Sequence, residues 1–280
     1  MTRGIDVSSH QDRIDWERIK TDGISFAYIK ATEGVSFVDS KMRAFAAGAE
    51  AAGIPHGFYH FARPDTRSGA TTQTAIRDAQ AEADSFLAVA FPLQGQLLPV
   101  LDLETGSLVP RVLVQWTRAW LERVTERSGV TPMIYSYPAF WSRMGNTTQF
   151  GAYRLWIAHY GVTSPQLPPG WERHTIWQYT SSGSVPGIPG RVGLDRLADG
   201  IALRTITVRS VRPVPEQHFP GPVPKPDWFW TWVRWRLGAG EFDGLAQDEQ
   251  VRPDEAPERV PDWAWASLEK LVSMRGRAAQ

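Results

Sequence analysis

Gln96-Leu97-Leu98-Pro99-Val100-Leu101-Asp102-Leu103-Glu104 is an apolar run ending in two carboxylates, with Gly95 before it and Gly106 after it. Such a run between glycines reads as a buried strand. Alternate residues of a strand share a face, so Asp102 and Glu104 project together, their Cα atoms about 6–7 Å apart. Two like charges at the end of a buried strand destabilise each other. One of the pair is therefore expected to hold a proton near neutral pH, as a general acid must. The pattern does not say which one, and a solvated strand end is the competing reading.

Two further acids extend the pattern. Asp6 closes the short apolar strand Gly4-Ile5-Asp6-Val7, and Asp195 ends Gly190-Arg191-Val192-Gly193-Leu194-Asp195. Three acidic strand ends spread over about 190 residues make sense if the strands close into a barrel whose C-terminal rim gathers them. For Asp6 or Asp195 taken singly, a salt bridge is the alternative.

The alternation of elements fits that geometry. Strands are expected near 3–7, 24–30, 54–61, 97–103 and 131–136, and helices near 15–22, 39–53, 72–90 and 110–128. Ala-rich stretches such as 45–52, stopped by Gly53, suit helices packed on a sheet. After residue 145 the helical pattern fades into strand-like pieces at 153–159, 174–180 and 201–208. The expected fold class is α/β: an irregular TIM-like (β/α) barrel of about five βα units and a strand-rich remainder, plus a small C-terminal helical module.

Composition narrows the function classes. Lys plus Arg and Asp plus Glu are each 30, so nothing points to a nucleic-acid partner. There is no cysteine, hence no disulfide framework and no thiolate metal site. His56 and His60 would share a strand face too far apart for one zinc, and no metal or cofactor is expected. Gly187, Gly190 and Gly193 lack the Gly-Lys-Ser/Thr ending of a phosphate loop. No stretch reaches the roughly 20 apolar residues of a membrane span. The first strand starts too near Met1 for a signal peptide, so a removed leader or holin-dependent export of a phage lysin is the expectation.

The motifs, taken in order, resemble glycoside hydrolase family 25, the Chalaropsis-type muramidases. They are Gly4-Ile5-Asp6-Val7-Ser8 with Gln11, Ile14-Asp15-Trp16, the run Phe26 to Gly34, and Gly57-Phe58-Tyr59-His60-Phe61. Leu101-Asp102-Leu103-Glu104, Leu155 to Tyr160 and Ile176-Trp177-Gln178-Tyr179 complete the set, which covers roughly residues 2–207. Two departures stand out. Asp12 follows Gln11 where the family usually has Gly, and Arg196-Leu197 follows Asp195 where a Leu-Asn type pair is common.

The resemblance implies hydrolysis of the β-1,4 bond between N-acetylmuramic acid and N-acetylglucosamine in the glycan strands of bacterial peptidoglycan, at the cell wall or outside the cell. It assigns Glu104 as the acid that protonates the departing oxygen. The pair is also similar to the acid end of substrate-assisted chitinases, with Asp102 as orienter of the acetamido group and Asp6 and Asp195 in support. Tyr59, Tyr135, Tyr137, Trp156, Tyr160 and Trp177 are candidates to line a sugar groove, with barrel core as the alternative for each. Trp116 and Trp120 are assigned to the core. Lys30 is expected either to offset the carboxylates or to form an ion pair with Glu33. A barrel that binds glycan without turning it over, or acts on chitin, is the rival reading.

The barrel is expected to occupy residues 1–210, a proline-rich linker 211–226 and a module 227–280. That module holds six of the chain's 13 tryptophans, and Pro226-Asp227-Trp228-Phe229-Trp230 recurs as Pro261-Asp262-Trp263-Ala264-Trp265. Two short similar helices are expected there, with packing, glycan binding or self-association as open roles.

Overall fold

Buried side chains alternate along the strands, and the alternation sorts the core into two layers. The computed structural model describes residues 2–64, 71–93 and 95–208. Its strands are β1 (Arg3–Val7), β2 (Ile24–Glu33), β3 (Phe37–Val38), β4 (His56–Phe61), β5 (Val100–Asp102), β6 (Met133–Ser136), β7 (Leu155–Ala158), β8 (Ile176–Gly183) and β9 (Val192–Leu197). Its helices are α1 (Trp16–Thr21), α2 (Met42–Ala51), α3 (Thr72–Ala90), α4 (Pro110–Ser128) and α5 (Pro138–Arg143).

Eight strands pair in the order β1-β9-β8-β7-β6-β5-β4-β2, and β1 pairs back onto β2 to close the barrel. β9 runs antiparallel to both neighbours, whereas the other barrel pairings are parallel. β3 is a two-residue antiparallel extension on the far end of β2. Helices follow the first five barrel strands and none follows β7, β8 or β9 among the described residues. The expected five βα units and strand-rich remainder are what forms.

Phe26, Tyr28, Val100, Met133, Trp156, Ile176 and Leu197 fill the barrel interior as one cluster. Their strand neighbours Ala27, Ile29, Leu101, Ile134, Leu155 and Ile157 face outward into the helix layer. Small residues on α3 (Ala75, Ala79, Ala83) and on α2 (Ala46, Ala49) are buried there, which lets the helices lie close to the sheet. Trp116 and Trp120 are fully buried in that layer, as expected.

The boundaries differ at four places, each with a local cause. β5 is only three residues because Pro99 has no N–H to give the ladder. Residues 201–208, expected as a strand, hold a 3₁₀ turn at Leu203–Thr205 and a single bridge from Thr207 to Leu97. The last barrel strand is instead β9, which runs through the Asp195 stretch read as a strand end and continues two residues past that acid. α5 is a six-residue helix started by Pro138, a residue suited to the first turn but too short a run to show periodicity. The linker 211–226 and the Trp-rich module 227–280 lie outside the described residues.

Candidate active site

The inward faces of β1, β2, β4, β5, β6, β7, β8 and β9 converge on one cleft of about 290 Å³ at the mouth of the barrel. Asp6, Asp102 and Glu104 line it, together with Lys30, Tyr59, Tyr135, Trp156 and Tyr160. Asp102 ends β5, and Leu103 N–H continues the ladder to Tyr135 O at 2.9 Å, so Glu104 keeps the inward parity of Asp102. Asp195 is not at a strand's C-terminal end. It sits within antiparallel β9, opposite Gly4 and Gln178, fully buried beneath the cleft floor.

Gln178 organises the floor. Its Nε2 donates to Asp6 Oδ2 at 2.6 Å, and its Oε1 accepts from Tyr135 Oη at 2.9 Å and from Tyr160 Oη. Trp156 Nε1 donates to Asp195 Oδ1 at 2.8 Å. The other oxygen of Asp195 is buried with no N–H or hydroxyl partner. Asp195 and Asp6 lie close enough for each to perturb the other. Burial, followed by the charge of Asp6, pushes Asp195 well above the usual carboxylate range, and burial raises Asp6 as well.

The other pair is raised as well. Burial, followed by the charge of Glu104, drives Asp102 well above its ordinary value. Burial, followed by Asp6, raises Glu104, while Lys30 and Arg63 pull it back. The two titrate together, so the retained proton belongs to the pair. Asp102 is the more deeply enclosed, and one of its oxygens has no partner, whereas Glu104 is partly open to the cleft. Glu104 is thus the member placed to hand a proton outward.

Lys30 combines the two readings in its geometry. It lines the cleft and pairs with Glu33 at 2.5 Å, with its Nζ 4.7 Å from the Phe61 ring centroid. Glu33 is held in turn by Arg63 at 2.7 Å. Tyr59, Tyr135, Trp156 and Tyr160 are brought together at the cleft, Tyr160 with 45% of its surface exposed. Two candidates go elsewhere. Trp177 faces outward from β8, buried in the helix-side layer, its Nε1 bonded to His159 O at 2.8 Å and Arg196 4.0 Å over its ring. Tyr137 lies past β6 as the residue before α5, packed against Phe140, and does not line the cleft.

Gln178, Ser8, His10, Gln11, Phe61, Ser181 and Gly193 also line the cleft and were not singled out from the sequence as site residues. For Gln178 a signal existed: it alternates with Trp177, so one of them had to face inward. Gly193 carries none. A Cβ there would lie 1.9 Å from Asp6 Oδ2, so only glycine lets β9 pass this close to the carboxylate.

Two outcomes follow. Gly193→Ala must displace the Asp6 carboxyl, and turnover should fall by about 10²-fold; wild-type turnover would show that Asp6 tolerates movement. The second concerns stability. Asp102 has its folded pKa raised above the unfolded one, so its stabilising contribution is complete below the unfolded value of 3.8 and is lost as pH rises through the folded pKa. Asp102→Asn should therefore melt above wild type in alkaline buffer, with the gap closing toward pH 4. Thermal melts from pH 4 to 9 that stay parallel would show that Asp102 carries no burial penalty.

Residues 5–188 match the model of glycosyl hydrolases family 25. The chain is 34% identical over 218 residues to lysozyme M1 of Streptomyces globisporus, covering 74% of this chain and 71% of that protein. It is 32% identical over 219 residues to the N,O-diacetylmuramidase of Chalaropsis sp., covering 71% of this chain and 99% of that one. In structure it is similar to the lysozyme of Streptomyces coelicolor, with a TM-score of 0.64 at 32% identity over 73% of this chain and 95% of that one. The barrel with acids gathered at its mouth thus belongs to glycosyl hydrolases family 25.

Proposed function

We propose that Glu104 is the general acid of a muramidase that cleaves the β-1,4 bond between N-acetylmuramic acid and N-acetylglucosamine, with Asp102, Asp6 and Asp195 in support. The chain is a glycoside hydrolase, and its activity as a peptidoglycan lysozyme follows from its family and relatives. The observation that carries the residue roles is the Asp102–Glu104 pair at the cleft, both members raised, with Asp102 buried and Glu104 the more open of the two.

In this reading a glycan strand lies across the mouth, its sugar faces against Tyr59, Trp156 and Tyr160. Glu104 protonates the glycosidic oxygen as the bond to the anomeric carbon breaks. Asp102 orients the acetamido group of the sugar whose bond is cut, so that the amide oxygen meets the developing positive charge. The resulting Glu104 carboxylate then takes a proton from the incoming water, which restores the acid. Asp6, fixed by Gln178, contributes negative potential opposite the pair. Peptidoglycan as substrate places the action at the cell wall. Neither nucleic acid nor membrane has a part in it, and no helix among the described residues is long and apolar enough to cross a bilayer.

Digestion of purified peptidoglycan tests the bond: new muramic-acid reducing ends are expected, and new glucosamine ends or preference for chitin oligosaccharides would overturn the assignment. Glu104→Gln should lower turnover by about 10²–10⁴-fold while the fold persists. Near-wild-type release of reducing ends would remove Glu104 from the acid role. Asp102→Asn removes a like charge, so the basic limb of the pH–rate profile should move to lower pH. An unmoved limb would show the two carboxyls to be uncoupled.

A further inference from the structure

Behind the cleft wall, on the helix side of the barrel, three polar side chains are buried where apolar packing is the rule: Thr32 on β2, His60 on β4 and Glu82 on α3. His60 Nε2 lies 2.7 Å from Glu82 Oε2, and the same oxygen accepts the Arg63 backbone N–H at 3.1 Å. His60 Nδ1 lies 2.8 Å from Thr32 Oγ1. Burial drives the His60 pKa down to about 3, so the ring is neutral at working pH. With Glu82 Oε2 already an acceptor, Nε2 carries the proton and donates, and Nδ1 accepts the Thr32 hydroxyl. The ring is stacked on Trp120 at 5.4 Å, which holds its plane.

The end of this chain of bonds is a backbone irregularity. Lys30 pairs with Tyr59 and Thr32 with His60, so Ala31 is an extra residue in β2, a bulge that is uncommon in parallel pairs. In a regular strand, residues three apart face opposite sides. Here the bulge turns both Ala31 and Thr32 toward the helix layer and returns Glu33 to the cleft side, where it meets Lys30 at 2.5 Å. Asp39 N–H takes up Ala31 O at 2.9 Å. We propose that Glu82, His60 and Thr32 form a positioning relay that pins the β2 bulge and so seats Lys30, Glu33 and Arg63 at the edge of the cleft shared with Asp102 and Glu104.

The proposal rests on the reading of Glu104 as the acid. The charged and titratable groups that share the cleft side with Lys30 are Glu33 on its own strand, Tyr59 on β4, Arg63 after it, Asp102 and Glu104 at the end of β5, Tyr135 on β6, Tyr160 after β7, and Asp6 and His10 on and after β1, while His60 lies behind the wall. Lys30 opposes the net negative charge of the carboxylates, so a misplaced Lys30 leaves the acid holding its proton to higher pH.

Thr32→Val keeps the shape of the side chain and deletes the hydroxyl that His60 engages. In full-length protein acting on purified peptidoglycan, its basic limb should move up by about one pH unit, with kcat reduced. Thr32→Ser should keep the wild-type limb, and Lys30→Met should shift it the same way as Thr32→Val. The double variant Thr32→Val with Lys30→Met should move the limb no further than Lys30→Met alone, because both act through one charge. Where the valine variant fails to fold, Thr32→Ala removes the same hydroxyl and takes its place. A lower melting temperature with an unmoved limb in the Thr32 variant, additive shifts in the double variant, or an unmoved limb in Lys30→Met would each overturn the relay. Failure of the underlying reading is separately visible as near-wild-type turnover by Glu104→Gln.

Discussion

The hydrogen bond from Gln178 Nε2 to Asp6 Oδ2 joins residues 172 apart in sequence, and the site is organised around it. Asp6 sits on the first strand and Gln178 on the eighth, so the bond exists only because β9 bridges β8 to β1 and the barrel closes. With its amide nitrogen committed to Asp6, Gln178 must present its oxygen to the two tyrosines. That one orientation fixes an acid on one wall and two hydroxyls on the other. Gly193 makes the approach possible, since any side chain there would collide with the carboxyl.

Gathering three acids at one mouth with a fourth, Asp195, buried beneath its floor works against folding, and two devices limit the cost. Burial and the charge of Asp6 hold Asp195 well above the usual carboxylate range, which relieves it of charge, and Trp156 donates to its Oδ1. Lys30 and Arg63, held by Glu33, bring positive charge to the rim near Glu104. The buried histidines pull the other way. His60 and His56 both have lowered pKa values through burial, so their share of stability is intact above 6.5 and is lost as pH falls, for His60 down to about 3. The raised carboxylates favour the folded state in acid and the histidines favour it above neutrality.

Much of this was legible in the residues. The parity of Asp102 and Glu104 needs only a strand, and the apolar run declares one. Four of the five βα units show because their helices and strands carry their periods openly, whereas the six-residue helix of the fifth does not. Trp156 and Trp177 mark where parity stops being enough. Both are tryptophans on late strands, yet Trp156 faces the cleft and Trp177 the helix layer. Alternation says which residues share a face, and only closure of the barrel says which face is inside.

The sequence by itself determined the layered α/β architecture, the carboxylate pair and its need for a shared proton, because these follow from local period and like-charge repulsion. Tertiary structure decided the rest. It placed Asp195 under the floor on an antiparallel strand, made Gln178 the centre of the hydrogen bonding, and used a bulge to bring Lys30 and Glu33 to one side. These depend on register between strands far apart in the chain, and register is set by closure of the whole sheet, which no local run of residues encodes.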